Sequence, residues 1–210
     1  PETFLSDPVN MLLLFKIGLE VDALIHPDAL RLATANLDRL EEIRNDPRAN
    51  AIFMDILLGR SNPERGLRRM NETGVLGAFM PEFGRIVAMM QFNMYHHYTV
   101  DEHTITCLSV LSRIERGVLK DELPYATSIM AGTINRRALY VAVLLHDIGK
   151  GLPQDHSIVG AEIAAEICPR LGLNEADTQT VVWLVRNHLL MSDTGRRPFC
   201  ASSIPPRATI

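Results

Sequence analysis

Residues 138–150 read ALYVAVLLHDIGK, an apolar run that ends, without a spacer, in an imidazole and a carboxylate. A run this apolar belongs in a core, as a helix or as a fully buried strand, and periodicity alone leaves both open. We read NRRALYVAVLLHD as a buried central helix. A carboxylate at the end of such a segment is almost never buried unless it is paired or bound to a metal. Gly149 and Gly151 then break the run, freeing the chain to bring His156 round.

The remainder reads as helices. From Met11 to Leu58 apolar residues recur at helical spacing: Leu30, Leu32, Ala33, Leu37 and Leu40, then Ile52, Ile56 and Leu57. IHPDALRLATANLDRL is expected to form one helix entered through Pro27, and NDPRANAIFMDILLG another, with Pro47 in its first turn and Gly59 at its end. Residues 61–91 read as short helices separated by Gly74, Gly77 and Pro81. From Glu102 to Arg116, the residues His103, Cys107, Leu108, Leu111 and Ile114 share one broad face. Ser157 is placed to cap a helix in which Ile158, Ala161, Ala165 and Cys168 recur. Asn174 is placed to cap the next, with Asp177 at the third position as in a capping box, and Val181, Leu184, Val185 and His188 on one side. The expected class is all-α.

Composition narrows the function classes. At 47% hydrophobic and 22% charged, the 210 residues can bury a sizeable core. A formal charge of −4 gives no field that favours nucleic acid or an acidic membrane. NMLLLFKIGLEV is too short and too interrupted to span a bilayer. Cys107, Cys168 and Cys200 are odd in number and far apart, which reads as reduced thiols in a cytoplasmic protein. Pro1 and the aperiodic GRRPFCASSIPPRATI are expected to be fragment boundaries.

Of seven histidines, His103, His146 and His188 lie on or at the ends of strongly apolar helices. Taken singly, each is as readily a hydrogen-bonded core residue as a ligand. With Asp147 they form a nitrogen and oxygen donor set suited to zinc, iron or manganese, for which the cysteines are not needed.

HTITCLSVLSR from His103, HDIGK from His146, then His156 and the pair Asn187–His188, resemble the HD superfamily of metal-dependent phosphohydrolases. NPERGLRRMNETGVLGAFMPEFGRIVAMMQFNMYHHYTVDEHT, LLHDIGKGLPQDHSIVGAEIA and VVWLVRNHLLMSDT are similar to the central region of the bifunctional uridylyltransferase and uridylyl-removing enzymes that modify the nitrogen regulatory protein PII. The resemblance implies an HD-domain helical bundle over residues 61–193, a helical linker over 1–60 that follows a nucleotidyltransferase domain, and an irregular tail over 194–210. It implies hydrolysis of the bond joining UMP to a tyrosine of PII, with glutamine sensed elsewhere in the full-length enzyme. It also implies one or two divalent ions (Mn, Fe, Zn or Mg), the first held by His103, His146 and Asp147, the second by His156 and His188.

The superfamily's closing aspartate is expected from a later helix, and Asp193 is the nearest candidate, poorly placed for it. Lys150 could balance phosphoryl charge or simply face water. Asp155 could orient a histidine or initiate a turn. Arg186 and Asn187 are candidate phosphate or uracil contacts, and Glu102 a candidate acid/base group. His96 and His97 invite a metal reading or close a pocket rim, while Met80, Met89, Met90 and Met94 read as core packing. Two other functions stay open: a phosphohydrolase acting on a free nucleotide, and a non-catalytic regulatory fragment.

Overall fold

The computed structural model describes residues 2–59, 62–90, 99–132 and 135–196; His96, His97, Met94 and Cys200 lie outside them. In chain order the elements are α1 (Glu2–Leu5), α2 (Val9–Glu20), α3 (Pro27–Thr34), a 3-10 turn (Leu37–Glu41), α4 (Pro47–Leu58), α5 (Glu64–Glu72), α6 (Val75–Phe79) and α7 (Pro81–Gly84). They continue as α8 (Val100–Glu115), α9 (Pro124–Met130), α10 (Arg136–Leu145), α11 (His156–Arg170), α12 (Glu175–Arg186) and α13 (Leu190–Arg196). Among the described residues the only β pairing is an isolated bridge between Met90 and Thr99, so the class is all-α. None of their helices is long and apolar enough to cross a membrane.

The apolar run becomes α10 and is central. It packs against α8, α11, α12 and α4, burying Tyr140, Val141, Leu144 and Leu145, each worth roughly 1.5–3 kcal/mol if apolar and fully buried. Its start is fixed by Asn135, whose side chain accepts from the Ala138 N–H at 3.0 Å. The buried Tyr140 hydroxyl is satisfied by donating to Glu115 Oε2 at 2.6 Å, and Glu115 also pairs with Arg136. On α12, Asn174 accepts from the Asp177 N–H at 2.8 Å, as its position predicts. Asp46 caps α4 in the same way, with Pro47 inside the first turn and Gly59 at the end.

Five expectations need correcting. The long helix from Pro27 stops at Thr34, because the Asn36 amide donates to Leu32 O at 2.8 Å and takes the carbonyl that a continuing helix would use. Gly77 lies within α6 and does not separate helices; a β-carbon there would come within 3.0 Å of the Gly84 Cα on α7. On α8, packed between α5 and α10, the buried arc is Val100, Thr104, Ile105, Leu108 and Ser112, leaving His103, Cys107 and Leu111 at its border. On α11 the buried arc is Gly160, Ala161, Ala164, Ile167 and Cys168, and Ile158 is exposed. The small residues let α12 approach: a β-carbon on Gly160 would stand 3.2 Å from Val185 Cγ1. Helical structure also reaches Arg196, past the expected start of the irregular tail.

Candidate metal centre

Four segments deliver the site. His103 stands in the first turn of α8, His146 caps the end of α10, Asp147 and Lys150 lie in the turn that follows, His156 opens α11, and His188 lies just past α12. The turn is held by Ile148 N–H to Leu145 O at 3.1 Å and Lys150 N–H to Asp147 O at 3.0 Å. Gly151 at φ 82° lets the chain reverse. Gly149 has a different task from the hinge expected of it: a β-carbon there would collide with the His156 carbonyl oxygen and come within 2.8 Å of Gly160 N. The turn is therefore pressed directly onto the first turn of α11, which brings His156 to Asp147.

Asp147 is the hub, only 3% exposed. Its Oδ2 faces His146 Nε2 at 3.3 Å, His103 Nε2 at 3.8 Å and Lys150 Nζ at 2.7 Å. Its Oδ1 faces His188 Nε2 at 3.6 Å and His156 Nε2 at 3.9 Å. The four imidazoles form a chain around it, with ring centroids 5.4 Å apart from His103 to His146, 5.4 Å from His146 to His188 and 5.3 Å from His188 to His156. His146 and His188 use one device: each Nδ1–H donates to the carbonyl three residues back, Val143 O and Val185 O, at 2.7 Å. That fixes the tautomer and turns Nε2 inward.

Burial by itself would push the Asp147 carboxyl up, but the hydrogen bond and charge of His146, with those of Lys150, hold it well below the usual carboxylate range. Burial lowers His188, which favours the neutral, ligating imidazole. His188 Nε2 is buried with no hydrogen-bond partner, a cost that a bound cation would relieve. The donors divide into two groups of mutually close atoms, His103, Cys107 and His146 on one side, Asp147, His156 and His188 on the other. The N/O set and the orphaned nitrogen fit a divalent ion.

The remaining candidates separate. Asp155 caps α11, accepting from the Ser157 N–H at 2.8 Å, so the cap is Asp155 and Ser157 sits inside the helix. Glu102 forms an ion pair with Arg68, which also holds Glu64 at 3.0 Å. Asn187 donates its amide to Trp183 O at 2.8 Å, and Arg186 is exposed at the end of α12. Met80 is fully buried, while Met90 is 61% exposed and is not core packing. Asp193 lies in α13, with its side chain outside the described residues. Cys107, which the sequence reading left out of the donor set, is half-buried with Sγ 3.6 Å from His103 Nε2. The available signal was its position four residues after His103, one turn up the same face.

The model of the HD domain family matches residues 100–210, over half of the chain. The chain belongs to the HD domain family. A second model, the uridylyltransferase GlnD third domain, matches residues 1–79, so the two family matches leave a gap between residues 79 and 100. The HD domain and the segment before it are together 61% identical over 198 residues to the bifunctional uridylyltransferase/uridylyl-removing enzyme of Ruegeria pomeroyi, covering 94% of this chain and 22% of that protein. The enzyme of the same name from Cereibacter sphaeroides is 60% identical, with 94% and 21% covered, and that from Azospirillum brasilense 54%, with 91% and 21%. The chain thus spans about a fifth of the length of these relatives.

Proposed function

We propose that this HD domain hydrolyses a phosphodiester, removing UMP from a uridylylated tyrosine of the PII signalling protein in the cytoplasm. The observation that carries the reading is Asp147: a buried carboxylate with each oxygen turned to a different pair of histidines, one of which, His188, has an Nε2 without a hydrogen-bond partner. The names of the relatives support uridylyl removal.

His103, His146 and Asp147 would hold one divalent ion, and His156 with His188 and the other Asp147 oxygen a second. An ion so held would lower the pKa of a water and polarise a phosphoryl oxygen. The chain's own residues do the rest. Val143 O and Val185 O keep the His146 and His188 lone pairs aimed inward. Lys150, a quarter exposed and paired with Asp147 at 2.7 Å, would turn to a phosphoryl oxygen and balance its growing charge. Arg186, two residues before His188, would meet phosphate or uracil, and Asn187, whose amide N–H donates to Trp183 O, would offer its amide oxygen as an acceptor to a uracil N–H. In the reaction a water oxygen bonds to phosphorus, the bond to the tyrosine oxygen breaks, and the phenolate leaves and takes up a proton. Control by glutamine belongs to other parts of the longer enzyme.

The test is incubation of the protein with manganese and uridylylated PII, followed by detection of free UMP. Release that disappears in His146→Ala is the expected result. A protein that binds no ion and leaves the tyrosyl-UMP bond intact overturns the reading. Competition by free nucleotides, without release from PII, would instead indicate a small-molecule phosphohydrolase.

A further inference from the structure

We propose that Cys107 is an additional ligand of the metal centre, completing a four-donor cage with His103, His146 and Asp147 that selects a thiophilic, tetrahedral ion such as zinc. The inference rests on the metal-centre reading above and adds a donor to it. Four donors bound at about 2.0–2.3 Å around one tetrahedral ion stand roughly 3.3–3.6 Å from one another. Four of the six separations among these donors already lie near this spacing. His103 Nε2 is 3.4 Å from His146 Nε2, Cys107 Sγ is 3.6 Å from His103 Nε2, and Asp147 Oδ2 is 3.3 Å from His146 Nε2 and 3.8 Å from His103 Nε2. The Cys107 and His146 donor atoms also fall within 4.8 Å of each other.

The backbone explains why these atoms meet. Cys107 follows His103 by one helical turn on α8, so both side chains leave the helix in the same direction. The packing of α8 on α10 carries that edge to the His146–Asp147 corner. The buried arc of α8 passes through Thr104, Ile105 and Leu108, leaving His103 and Cys107 at its border, open to the site.

The chemical consequence is a division of labour around Asp147. The side with Cys107 offers two imidazoles, a thiolate and a carboxylate oxygen, a set that suits zinc. The side with His156 and His188 offers three donors, nitrogen and oxygen only, which suits manganese or iron as well and keeps the open position at which a water would be activated, a position the closed four-donor side lacks. Binding at Cys107 releases the thiol proton to solvent, and Lys150, whose Nζ sits 2.7 Å from the same Asp147 oxygen, gives up that contact to the incoming ion.

Cobalt(II) is the probe, because a thiolate bound to it gives a near-ultraviolet charge-transfer band that nitrogen and oxygen ligands do not. The metal-free protein titrated with cobalt should develop this band. It should vanish in Cys107→Ser and persist in His156→Ala and in Cys200→Ser. Zinc affinity should fall in Cys107→Ser by at least about tenfold, the smallest loss that removal of even an outer partner brings, while manganese affinity stays within about twofold. Far-ultraviolet circular dichroism shows whether Cys107→Ser keeps its helices; should it unfold, protection of Cys107 from thiol alkylation by bound zinc in the parent protein reads the same contact. Cobalt bound with no charge-transfer band, or a band unchanged in Cys107→Ser, overturns the inference and leaves the metal centre standing. Failure to bind cobalt at all overturns the metal centre itself.

Discussion

Among the described residues two carboxylates are buried at helix ends, Asp101 in the first turn of α8 and Asp147 just beyond α10, at 4% and 3% exposure. Their surroundings differ in kind. Asp101 accepts from the Asn71 amide at 2.7 Å and from the Ala88 N–H at 3.2 Å, two neutral donors that tie α5 and the stretch after α7 to α8. Asp147 faces four imidazoles and an ammonium, every one of which can lose or exchange a proton. Neutral amides have nothing to give up to a cation, so Asp101 is a fixture of the fold. Titratable donors can release protons and turn their lone pairs to an ion, so equal burial leads to opposite roles.

Removing each in turn should separate the two. Asp101→Ala strands two amide donors in the interior, each costing about 1–3 kcal/mol, so a loss of about 3 kcal/mol is expected in urea unfolding, with ion stoichiometry unchanged. Asp147→Asn should weaken ion binding by about a hundredfold, or about 2.7 kcal/mol, measured by calorimetric titration. Chelator should then lower the melting temperature of the parent and of the Asp101 variant, but not that of Asp147→Asn. The acid limb adds a sign. A folded carboxyl held below its ordinary value of 3.8 stabilises the protein above that pH and loses its contribution as pH falls through the folded value. The ion-free parent should lose stability below about pH 4 more steeply than Asp147→Asn; equal slopes would mean that Asp147 is no more specialised than Asp101.

How much of this was legible beforehand follows from what periodicity measures. The run at residues 138–145 and the doublet after it predict a buried helix with a paired or ligated carboxylate, and α10 and the ring around Asp147 agree. That His103 and His188 belong with Asp147 was legible from their places on apolar helices, whereas the division of the histidines between two ions was implied by resemblance, since spacing of this size says nothing about contact. Faces were read one helix at a time, and the neighbours decide the buried arc: α8 is gripped by α5 and α10, so its centre of burial rotates away from His103 and Cys107. That same rotation is what exposes Cys107 to the site. The close approach of Gly149 to Gly160 is a contact between distant residues, invisible to local rules that see only a break.

The press of the turn onto α11 gives the next test. Gly149→Ala places a methyl against the His156 carbonyl and Gly160 N, both backbone atoms that cannot swing aside. About 2 kcal/mol of destabilisation is expected, in the range of overpacking. Because the displaced element carries His156, ion affinity on the His156–His188 side should fall with it, while the cobalt–thiolate band on the Cys107 side persists. A variant that loses stability alone, with both ions retained, would show that the press serves the fold in the manner of Asp101 and not the site.

The smallest effect tests the cap at the same junction. Asp155 accepts from the Ser157 N–H at 2.8 Å and from its hydroxyl at 2.6 Å, and its charge lies at the positive end of α11, one residue before His156. Asp155→Ala should lower the melting temperature, as loss of an N-cap does, and Ser157→Ala should lower it less, since the serine only receives what the aspartate holds. Both variants leave every donor around Asp147 in place. Ion affinity should therefore follow how firmly the first turn of α11 is anchored, falling slightly in Asp155→Ala and not in Ser157→Ala. If the two variants are equal in melting temperature and in ion affinity, the entry of α11 is fixed by Gly149 packing alone, and the helix cap plays no part in presenting His156.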